Sequence, residues 1–280
     1  MREVHCSDIV RTVARLCVEA NRVINRDILS ALEAAAGSET KPGAKNVLSL
    51  LMENAKVAVE DSLPICQDTG MAVVFVEIGQ DTRVTGGGLY DAINQGVREG
   101  YETGYLRKSI VSDPIARVNT GDNTPAVIHC RIVPGSRLKI TVAPKGFGSE
   151  NMSAVKMLKP SDGIAGVKAF VLETVKNAGP NPCPPLIVGV GLGGTFEKCA
   201  LLAKTALIRR LGERNPNEYW ARFETEMLEA VNSLNIGPAG LGGRTTALAV
   251  HAEVYPTHIA GLPAAVNIGC HVTRHKEAEL

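Results

Sequence analysis

Residues 186–211, LIVGVGLGGTFEKCALLAKTALIRRL, place a strand pattern, a run of glycines and a helix pattern in direct succession. Residues 186–190 form an uninterrupted apolar run, which is typical of a short buried strand. Residues 195–211 have apolar side chains at helical spacing, and the glycines between the two patterns interrupt both. A buried strand followed directly by a helix indicates a fold that mixes helices with a sheet.

Helix and strand patterns also follow one another along the rest of the chain. Helices are predicted over residues 9–17, 25–36, 44–60, 89–106, 163–178 and 218–234, the first with an N-cap at Ser7-Asp8. Strands are predicted over residues 71–78, 125–133, 138–143, 245–254 and 264–270. Loops rich in glycine and proline are predicted over residues 64–70, 146–149, 179–185 and 237–243. The sequence therefore predicts one compact mixed α/β (α+β) domain over residues 1–280, with a helical N-terminal lobe over residues 1–60 and a mixed sheet with helices over residues 61–280.

The composition argues against several classes of protein. The 280 residues include 30 basic and 29 acidic side chains, so the net charge is +1, and aromatic residues make up only 4%. A nucleic-acid-binding protein needs a basic surface, and a single-strand binder also needs aromatic platforms. The N-terminal sequence lacks the apolar core of a signal peptide, and no apolar run approaches the ~18–20 residues of a membrane span. We therefore expect a soluble, cytoplasmic protein that binds neither nucleic acid nor membranes.

The seven cysteines fall into two groups by sequence context. Disulfides are not expected in the cytoplasm, and an odd number of cysteines agrees with this. In regular elements or near the N-terminus a cysteine is usually a small buried hydrophobe or an incidental thiol, and this group contains Cys6, Cys17, Cys130 and Cys199. The second group lies in or beside irregular segments rich in Pro, Gly and Asn, and it contains Cys66, Cys183 and Cys270.

The three loop cysteines leave three interpretations open. Their wide separation matches no local metal motif, so they can be unrelated thiols. They can also bind zinc, with His271, His258 or water as the fourth ligand. Alternatively, they can hold a 4Fe–4S cluster that keeps one iron without a protein ligand, available to act as a Lewis acid.

Six longer stretches, three of which contain these cysteines, follow one another along the chain and together are distinctive. They are PICQDTG at 64–70, RKSIVSDP at 107–114, KGFGSEN at 145–151, GPNPCPPLIVGVGLGG at 179–194, GPAGLGGRTTALAV at 237–250 and PTHIAGLPAAVNIGCH at 256–271. With these stretches the chain resembles the alpha subunit of the two-subunit, iron–sulfur (class I) fumarate hydratases. It is also similar to the alpha subunit of L-tartrate dehydratase and to the N-terminal half of single-chain fumarases of that class.

The resemblance implies a cofactor, a set of substrate contacts and a partner. It implies that a 4Fe–4S cluster with one open iron is ligated by Cys66, Cys183 and Cys270. It implies that the substrate is surrounded by Gln67, Asp68, Arg107, Gly148 and His258. The catalytic base, a threonine, is expected from a beta subunit, in an α2β2 heterotetramer. Phe147 stands where many relatives are expected to have glycine, next to the predicted backbone contact at Gly148.

The predicted contacts suit a small dicarboxylate, although each has an ordinary alternative. Arg107 offers a bidentate fork to a carboxylate, or it is a surface arginine. Gly146 and Gly148 allow backbone N–H groups to approach an anion, or they form a plain turn. His258 can donate to a carboxylate or carry a proton, or it is a core or loop histidine. Asp68 can orient Arg107 or His258, or it is a turn residue.

The implied reaction is the reversible hydration of fumarate to L-malate. The open iron would polarise the C–O bond at C2, a base from the partner would remove a proton from C3, and Arg107 and His258 would align the carboxylates. L-Tartrate or another C4 2-hydroxy dicarboxylate is the alternative substrate. Arg244 is a further cation that can face an anion, although a surface role is the simpler interpretation.

Two other functional classes remain as alternatives. Residues 189–194, GVGLGG, match the dinucleotide fingerprint GxGxxG. The acidic residue that fingerprint requires should follow a second strand, whereas Glu213, the nearest acidic residue at that distance, follows a predicted helix. The simpler interpretation is that these glycines allow close packing. A zinc-stabilised, non-catalytic subunit is the other alternative.

Overall fold

The computed structural model describes residues 2–280. In chain order its elements are β1 (Arg2–His5), α1 (Cys6–Arg22), α2 (Arg26–Ser38), α3 (Pro42–Glu60), β2 (Met71–Gly79), β3 (Thr82–Thr85), α4 (Leu89–Thr103), β4 (Val127–Val133), β5 (Leu138–Lys145), α5 (Phe147–Glu150), β6 (Ala154–Leu158), α6 (Gly163–Ala178), β7 (Leu186–Gly194), α7 (Phe196–Ala206), α8 (Glu218–Asn232), β8 (Ala247–Thr257), β9 (Leu262–Gly269) and β10 (Lys276–Glu279). This mixture of helices and strands confirms the predicted mixed α/β class.

The chain folds into two compact units. Unit 1 contains the described residues up to Ile24, together with Ala55–Phe147 and Arg274–Leu280. Unit 2 contains Asn25–Asn54 and Gly148–Thr273. The helices of residues 1–60 are thus shared between the two units, and the assignment of residues 1–280 to one domain stays a prediction.

Unit 1 contains a four-stranded sheet in the order β10–β5–β2–β4. β2 is parallel to β4 and antiparallel to β5, so it lies between these two strands, which follow one another in the chain. Helix α1 packs against α4 and also contacts β5. It buries Ile9, Val13 and Leu16, whose spacing places them on one face of the helix. A two-stranded parallel sheet, β1–β3, completes this unit.

Unit 2 contains a second four-stranded sheet, in the order β6–β9–β7–β8. The central strand β7 is parallel to β8 and antiparallel to β9. Side chains alternate between the two faces of a strand. In β7, Leu186, Val188 and Val190 lie in the core that also contains residues of α6 and α8. Helix α7 packs against β7 and β9.

The glycines of the GVGLGG stretch lie inside β7, which is longer than the predicted strand at residues 186–190. A Cβ atom on Gly189 would lie 2.1 Å from the carbonyl oxygen of Ala203, and one on Gly191 would lie 2.0 Å from that of Cys199. Both carbonyls belong to α7, so the absence of side chains lets the helix backbone touch the strand. A dinucleotide fingerprint instead needs its glycines in the turn between strand and helix. The observed placement favours the packing interpretation.

The structure differs from the predicted elements at several places. Helix α1 begins at Cys6 with His5 as its N-cap, because the His5 ring accepts a hydrogen bond from the Ser7 N–H at 3.2 Å. The predicted loop at residues 146–149 contains the short helix α5. The sequence patterns also missed the short strands β1, β3, β6 and β10, which form by pairing with strands at other positions in the chain. In the part of the chain that the structure describes, no helix is long and apolar enough to span a membrane.

Candidate active site

Buried polar side chains bind the backbone of the loop at residues 64–70 in unit 1. Tyr101 Oη donates hydrogen bonds to the carbonyl oxygens of Thr69 and Gly70, at 2.7 and 3.0 Å. Asn123 Nδ2 donates to the same Gly70 carbonyl at 3.2 Å, and this asparagine is fully buried. Burial raises the pKa of Tyr101, so its hydroxyl stays protonated and remains a donor. These contacts give the end of the loop one backbone conformation.

Asp68 is held through both its backbone and its side chain. Arg274 Nη2 donates to the Asp68 carbonyl oxygen at 2.5 Å. The Asp68 carboxylate accepts hydrogen bonds from the N–H groups of Gly70, at 3.0 Å, and Phe147, at 2.9 Å. The first of these closes an Asx-turn, and the second fixes the backbone directly before Gly148. The predicted role of Asp68 in orienting Arg107 or His258 stays a prediction.

Arg107 is joined to the same loop through its backbone. Thr69 Oγ1 donates to the Arg107 carbonyl oxygen at 3.0 Å. The Arg107 side chain is exposed, and no carboxylate among residues 2–280 forms an ion pair with it. Cys66 is half-buried, and its Sγ lies 3.4 Å from Oε1 of the exposed Gln67. Unit 1 therefore brings together four predicted site residues on two segments that a hydrogen bond connects.

Cys183 and Cys270 lie in neighbouring turns of unit 2. Cys183 adopts a left-handed backbone conformation with φ of 56°, which is uncommon for a residue with a side chain. Its N–H donates to the Pro180 carbonyl oxygen at 3.0 Å. Its own carbonyl oxygen accepts from the His271 N–H at 3.4 Å and lies 3.0 Å from His271 Nδ1. Because His271 directly follows Cys270, these contacts tie the two cysteine-bearing turns together.

Gly148 lies beside the Cys183 turn. A Cβ atom on Gly148 would meet only the Asn181 carbonyl oxygen, at 3.8 Å. Gly148 is exposed and sits in the first turn of α5. Its surroundings are therefore open enough for a ligand to reach the backbone, as the resemblance implies.

A polar network connects α5 with strand β9. Lys204 Nζ pairs with Glu150 Oε1 at 2.5 Å. Asn267 Nδ2 donates to Glu150 Oε2 and to Ser153 Oγ, both at 2.8 Å. Because Asn267 lies three residues before Cys270, the network sets the position of α5 relative to the strand that leads to this cysteine. Sequence analysis missed this network, since its members lie in three separate segments of the chain.

His258 occupies the short connection between β8 and β9. Its side chain is exposed, and Nδ1 accepts a hydrogen bond from the Ala260 N–H at 3.2 Å. With Nδ1 used as an acceptor, the neutral imidazole carries its proton on Nε2. The described contacts of His258 stay within its own turn, so the structure does not join this histidine directly to the cysteine turns.

Two cysteines of the other group, Cys17 and Cys199, are buried and differ chemically from these three. Burial raises the pKa of Cys17 to about 12 and also raises the pKa of Cys199. A metal ligand must be a thiolate, which burial disfavours. By contrast, Cys66, Cys183 and Cys270 are partly or fully exposed and lie in loops. This difference supports the separation of the cysteines that the sequence context predicts.

The donor set suits an iron–sulfur cluster by its chemistry. Three accessible, reduced thiols are the ligand type that such clusters use. Within residues 2–280, no group of three or more His, Cys, Asp or Glu side chains is already arranged to hold a metal ion. The structure thus brings the turns of Cys183 and Cys270 together in unit 2. Cys66 belongs to unit 1, where its Sγ lies near Gln67.

Sequence analysis also missed the residues that hold the loop at 64–70. Tyr101 lies on the apolar face of a helix, where its spacing indicates only a core position. Asn123 and Arg274 lie in irregular segments, and nothing in their local sequence distinguishes them from exposed polar residues. Only their burial and their hydrogen bonds reveal their role.

Comparison with known proteins gives consistent results over most of the chain. A family model described as fumarate hydratase (Fumerase) matches residues 10–279. A provisionally named L(+)-tartrate dehydratase subunit alpha from Methanocaldococcus jannaschii is 43% identical over 274 residues, covering 96% of this chain and 95% of the relative. The L(+)-tartrate dehydratase alpha subunits of Escherichia coli K12 and Shigella sonnei are each 34% identical over 248 residues, covering 87% of this chain and 81% of the relative.

Proposed function

The chain belongs to the fumarate hydratase (Fumerase) family, and from this premise we propose that it is the hydro-lyase alpha subunit that catalyses the reversible hydration of fumarate to L-malate. Membership of this family makes the protein a hydro-lyase. The choice of fumarate as the substrate, the cofactor and the composition of the assembly belong to the proposal.

The observation that carries the proposal is the connection of Arg107 to the cysteine loop. The Thr69 hydroxyl donates to the Arg107 carbonyl at 3.0 Å, so the backbone of Arg107 is held next to a loop that bears an accessible thiol. The exposed guanidinium of Arg107 has no carboxylate partner among residues 2–280. A guanidinium is the side chain best suited to a bidentate contact with a carboxylate. A cluster-dependent reaction of a dicarboxylate needs a thiol ligand close to a cation that binds a carboxylate. The hydrogen-bonded segments of Cys66 and Arg107 offer both.

We assign Cys66, Cys183 and Cys270 as the ligands of a 4Fe–4S cluster. When bound, a cluster with one iron lacking a protein ligand supplies a Lewis acid for the 2-hydroxyl of the substrate. The loop positions of the three cysteines, their accessibility and the contact between the Cys183 and Cys270 turns support this assignment.

The chain's own residues bind and orient the substrate in this proposal. Arg107 binds one carboxylate, and the N–H groups at Gly148 bind the other end of the anion. His258 donates its Nε2 proton to a carboxylate oxygen, since its Nδ1 is already used by the Ala260 N–H. The Asp68 carboxylate accepts a hydrogen bond from the Phe147 N–H and so fixes the backbone position of the residue directly before Gly148. Fixed contacts of this kind lower the entropic cost of aligning the C2 hydroxyl with the base.

The partner subunit completes the site in the proposal. The named alpha subunits among the relatives imply a partner chain. We assign the base that removes the proton from C3 to a beta subunit, and we expect an α2β2 assembly in the cytoplasm.

L-Tartrate is the second candidate substrate. The relatives that match the chain over most of its length carry the name L(+)-tartrate dehydratase. Malate and tartrate differ by one hydroxyl group, and a site built to hydrogen-bond a hydroxyl discriminates strongly against the substrate that lacks it. The two candidates therefore predict different kinetic constants for the same assembly.

The test is anaerobic purification of this chain with its partner subunit. We expect about four irons and four sulfides per alpha chain and a brown colour. The rates with fumarate, L-malate and L-tartrate then identify the substrate. A preparation that takes up zinc but no iron after reconstitution would refute the cluster assignment and favour the non-catalytic alternative. An iron-loaded enzyme that dehydrates only L-tartrate would replace the proposed substrate.

A further inference from the structure

Arg274 is a buried cation with no carboxylate partner in the described part of the chain. Its residue is only 4% exposed, and its Nε atom has no hydrogen-bond partner. Among residues 2–280 its one hydrogen bond is from Nη2 to the Asp68 carbonyl oxygen, and no acidic side chain forms an ion pair with it. Burying a charge is costly unless the charge is paired and hydrogen-bonded. The retention of this guanidinium therefore needs an explanation beyond stability.

The contact of Arg274 adds to those of two neutral donors on the same loop. Arg274 binds the carbonyl of Asp68, Tyr101 binds those of Thr69 and Gly70, and a buried asparagine also binds that of Gly70. Three successive carbonyl groups are thus each fixed from the protein interior. These carbonyls follow directly after Cys66 and Gln67, so their geometry decides where the two site residues stand.

A neutral donor would be enough to hold one carbonyl, as the amide of Asn123 shows at Gly70. A guanidinium brings a positive charge and further N–H groups, of which the one at Arg274 Nε has no partner among residues 2–280. A positive charge beneath a loop becomes favourable when that loop carries an anion. The proposed occupants, a thiolate-ligated cluster and a dicarboxylate, are both of this kind.

We propose that Arg274 is a positioning residue for the reaction, which fixes the Asp68 carbonyl and supports the loop that presents Cys66 and Gln67 to an anionic occupant. This inference rests on the proposed function and extends it to a residue that does not touch the substrate. Replacing a residue that orients a metal ligand without touching the metal typically lowers metal affinity or activity by about 10–100-fold.

The variants Arg274→Lys and Arg274→Met separate charge from geometry. The lysine keeps the charge but loses the planar fork, whereas the methionine loses both. Arg209→Lys is the matched control, because the Arg209 side chain is only 12% exposed but is paired with Glu224 at 2.6 Å in unit 2.

Three measurements test the proposal. The first is amide hydrogen exchange of the peptide covering residues 64–72 in the metal-free full chain. The second is the rate of iron loss to a chelator from the loaded enzyme, and the third is the separation of KM from kcat with the partner subunit present. For Arg274→Met we expect iron loss and KM each to rise by about 10–100-fold while kcat of the loaded fraction changes little. Amide exchange of the 64–72 peptide should be faster in Arg274→Met than in the wild type. In all three measurements Arg274→Lys should lie between the wild type and Arg274→Met.

The proposal is overturned if both Arg274 variants match Arg209→Lys in exchange of the 64–72 peptide, iron loss and KM. If Arg274→Met does not fold, Arg274→Lys is judged by the same three measurements. The iron content of the wild type tests the proposed function separately. A wild type without iron refutes the cluster, whereas a loaded wild type with indifferent Arg274 variants refutes only the role of Arg274.

Discussion

The Cys66 loop of unit 1 and the Cys183 turn of unit 2 are held in different ways. The first depends on long, buried side chains from distant segments, namely Tyr101, Asn123 and Arg274, which bind its carbonyl groups. The second depends mainly on backbone contacts and on the left-handed conformation of Cys183. A side-chain substitution should therefore disturb the Cys66 loop more than the Cys183 turn, although both carry predicted ligands.

The largest effect should come from replacing the cysteines. Substitutions in the Cys66 loop and in the Cys183 turn should lower iron content and activity to the same extent. Changing Cys66 or Cys183 to serine removes a proposed thiolate ligand, so iron should fall from about four per chain to near zero and activity should be lost. Iron analysis and the hydration rate check this. Cys130→Ser, at an exposed thiol of β4, is the control and should keep both. Full iron content in Cys183→Ser would contradict the common role of the two regions.

Arg107→Ala should produce the next effect, which is confined to unit 1. Loss of a charge-assisted contact worth about 1.5–3 kcal/mol corresponds to a rise in KM of about 10–100-fold, with the iron content unchanged. Steady-state kinetics on the loaded assembly measure it. Arg131→Ala, which removes an exposed arginine paired with Glu77, should have wild-type kinetics. An unchanged KM in Arg107→Ala would remove Arg107 from the site.

Removing one hydroxyl that holds the Cys66 loop and one that holds the Cys270 turn, which contacts the Cys183 turn, extends the comparison. Tyr101→Phe leaves the buried Thr69 carbonyl without its donor, whereas the Gly70 carbonyl keeps the one from Asn123. The substitution should lower the free energy of unfolding by about 1–3 kcal/mol. Thr273→Val removes an Oγ1 hydrogen bond to the Cys270 carbonyl, but the Thr273 N–H still donates to that oxygen at 2.9 Å. Its cost should be smaller, about 0.5–1 kcal/mol. Denaturant unfolding of the metal-free chain measures both, and equal costs would contradict the difference between the regions.

The smallest expected effect is an acid sensitivity beside Asn123. Burial alone would raise the pKa of Asp122, but hydrogen bonds from the Thr124 side chain and from Arg98 lower it from 3.8 to about 2. A lowered folded-state pKa stabilises the protein above the unfolded value, and this stabilisation is lost as the pH falls through about 2. Asp122→Asn should therefore flatten the pH dependence of unfolding between about pH 4 and pH 2 in the metal-free chain. An identical slope in the variant and the wild type would exclude this contribution.

Local patterns were enough to predict most long elements and the separation of the cysteines. The helix predicted at residues 163–178 is observed as Gly163–Ala178, because its apolar spacing and its flanking glycines act within a few residues. The short strands β1 and β10 escaped prediction, since their polar sequences become strands only by pairing with distant partners. For the same reason, the glycines of β7 could be recognised as packing residues only once α7 was seen against them.

The amino-acid sequence was sufficient to predict the mixed α/β class, to single out the three loop cysteines and to reveal the resemblance to a family of hydro-lyases. These features follow from periodicity, turn residues and ordered motifs, which are all local properties of the chain. The polar side chains that hold the Cys66 loop could be identified only in the folded chain, and so could the burial of Arg274 without a carboxylate partner among residues 2–280. Burial and hydrogen bonding depend on segments that lie far apart in the sequence, so no local pattern records them.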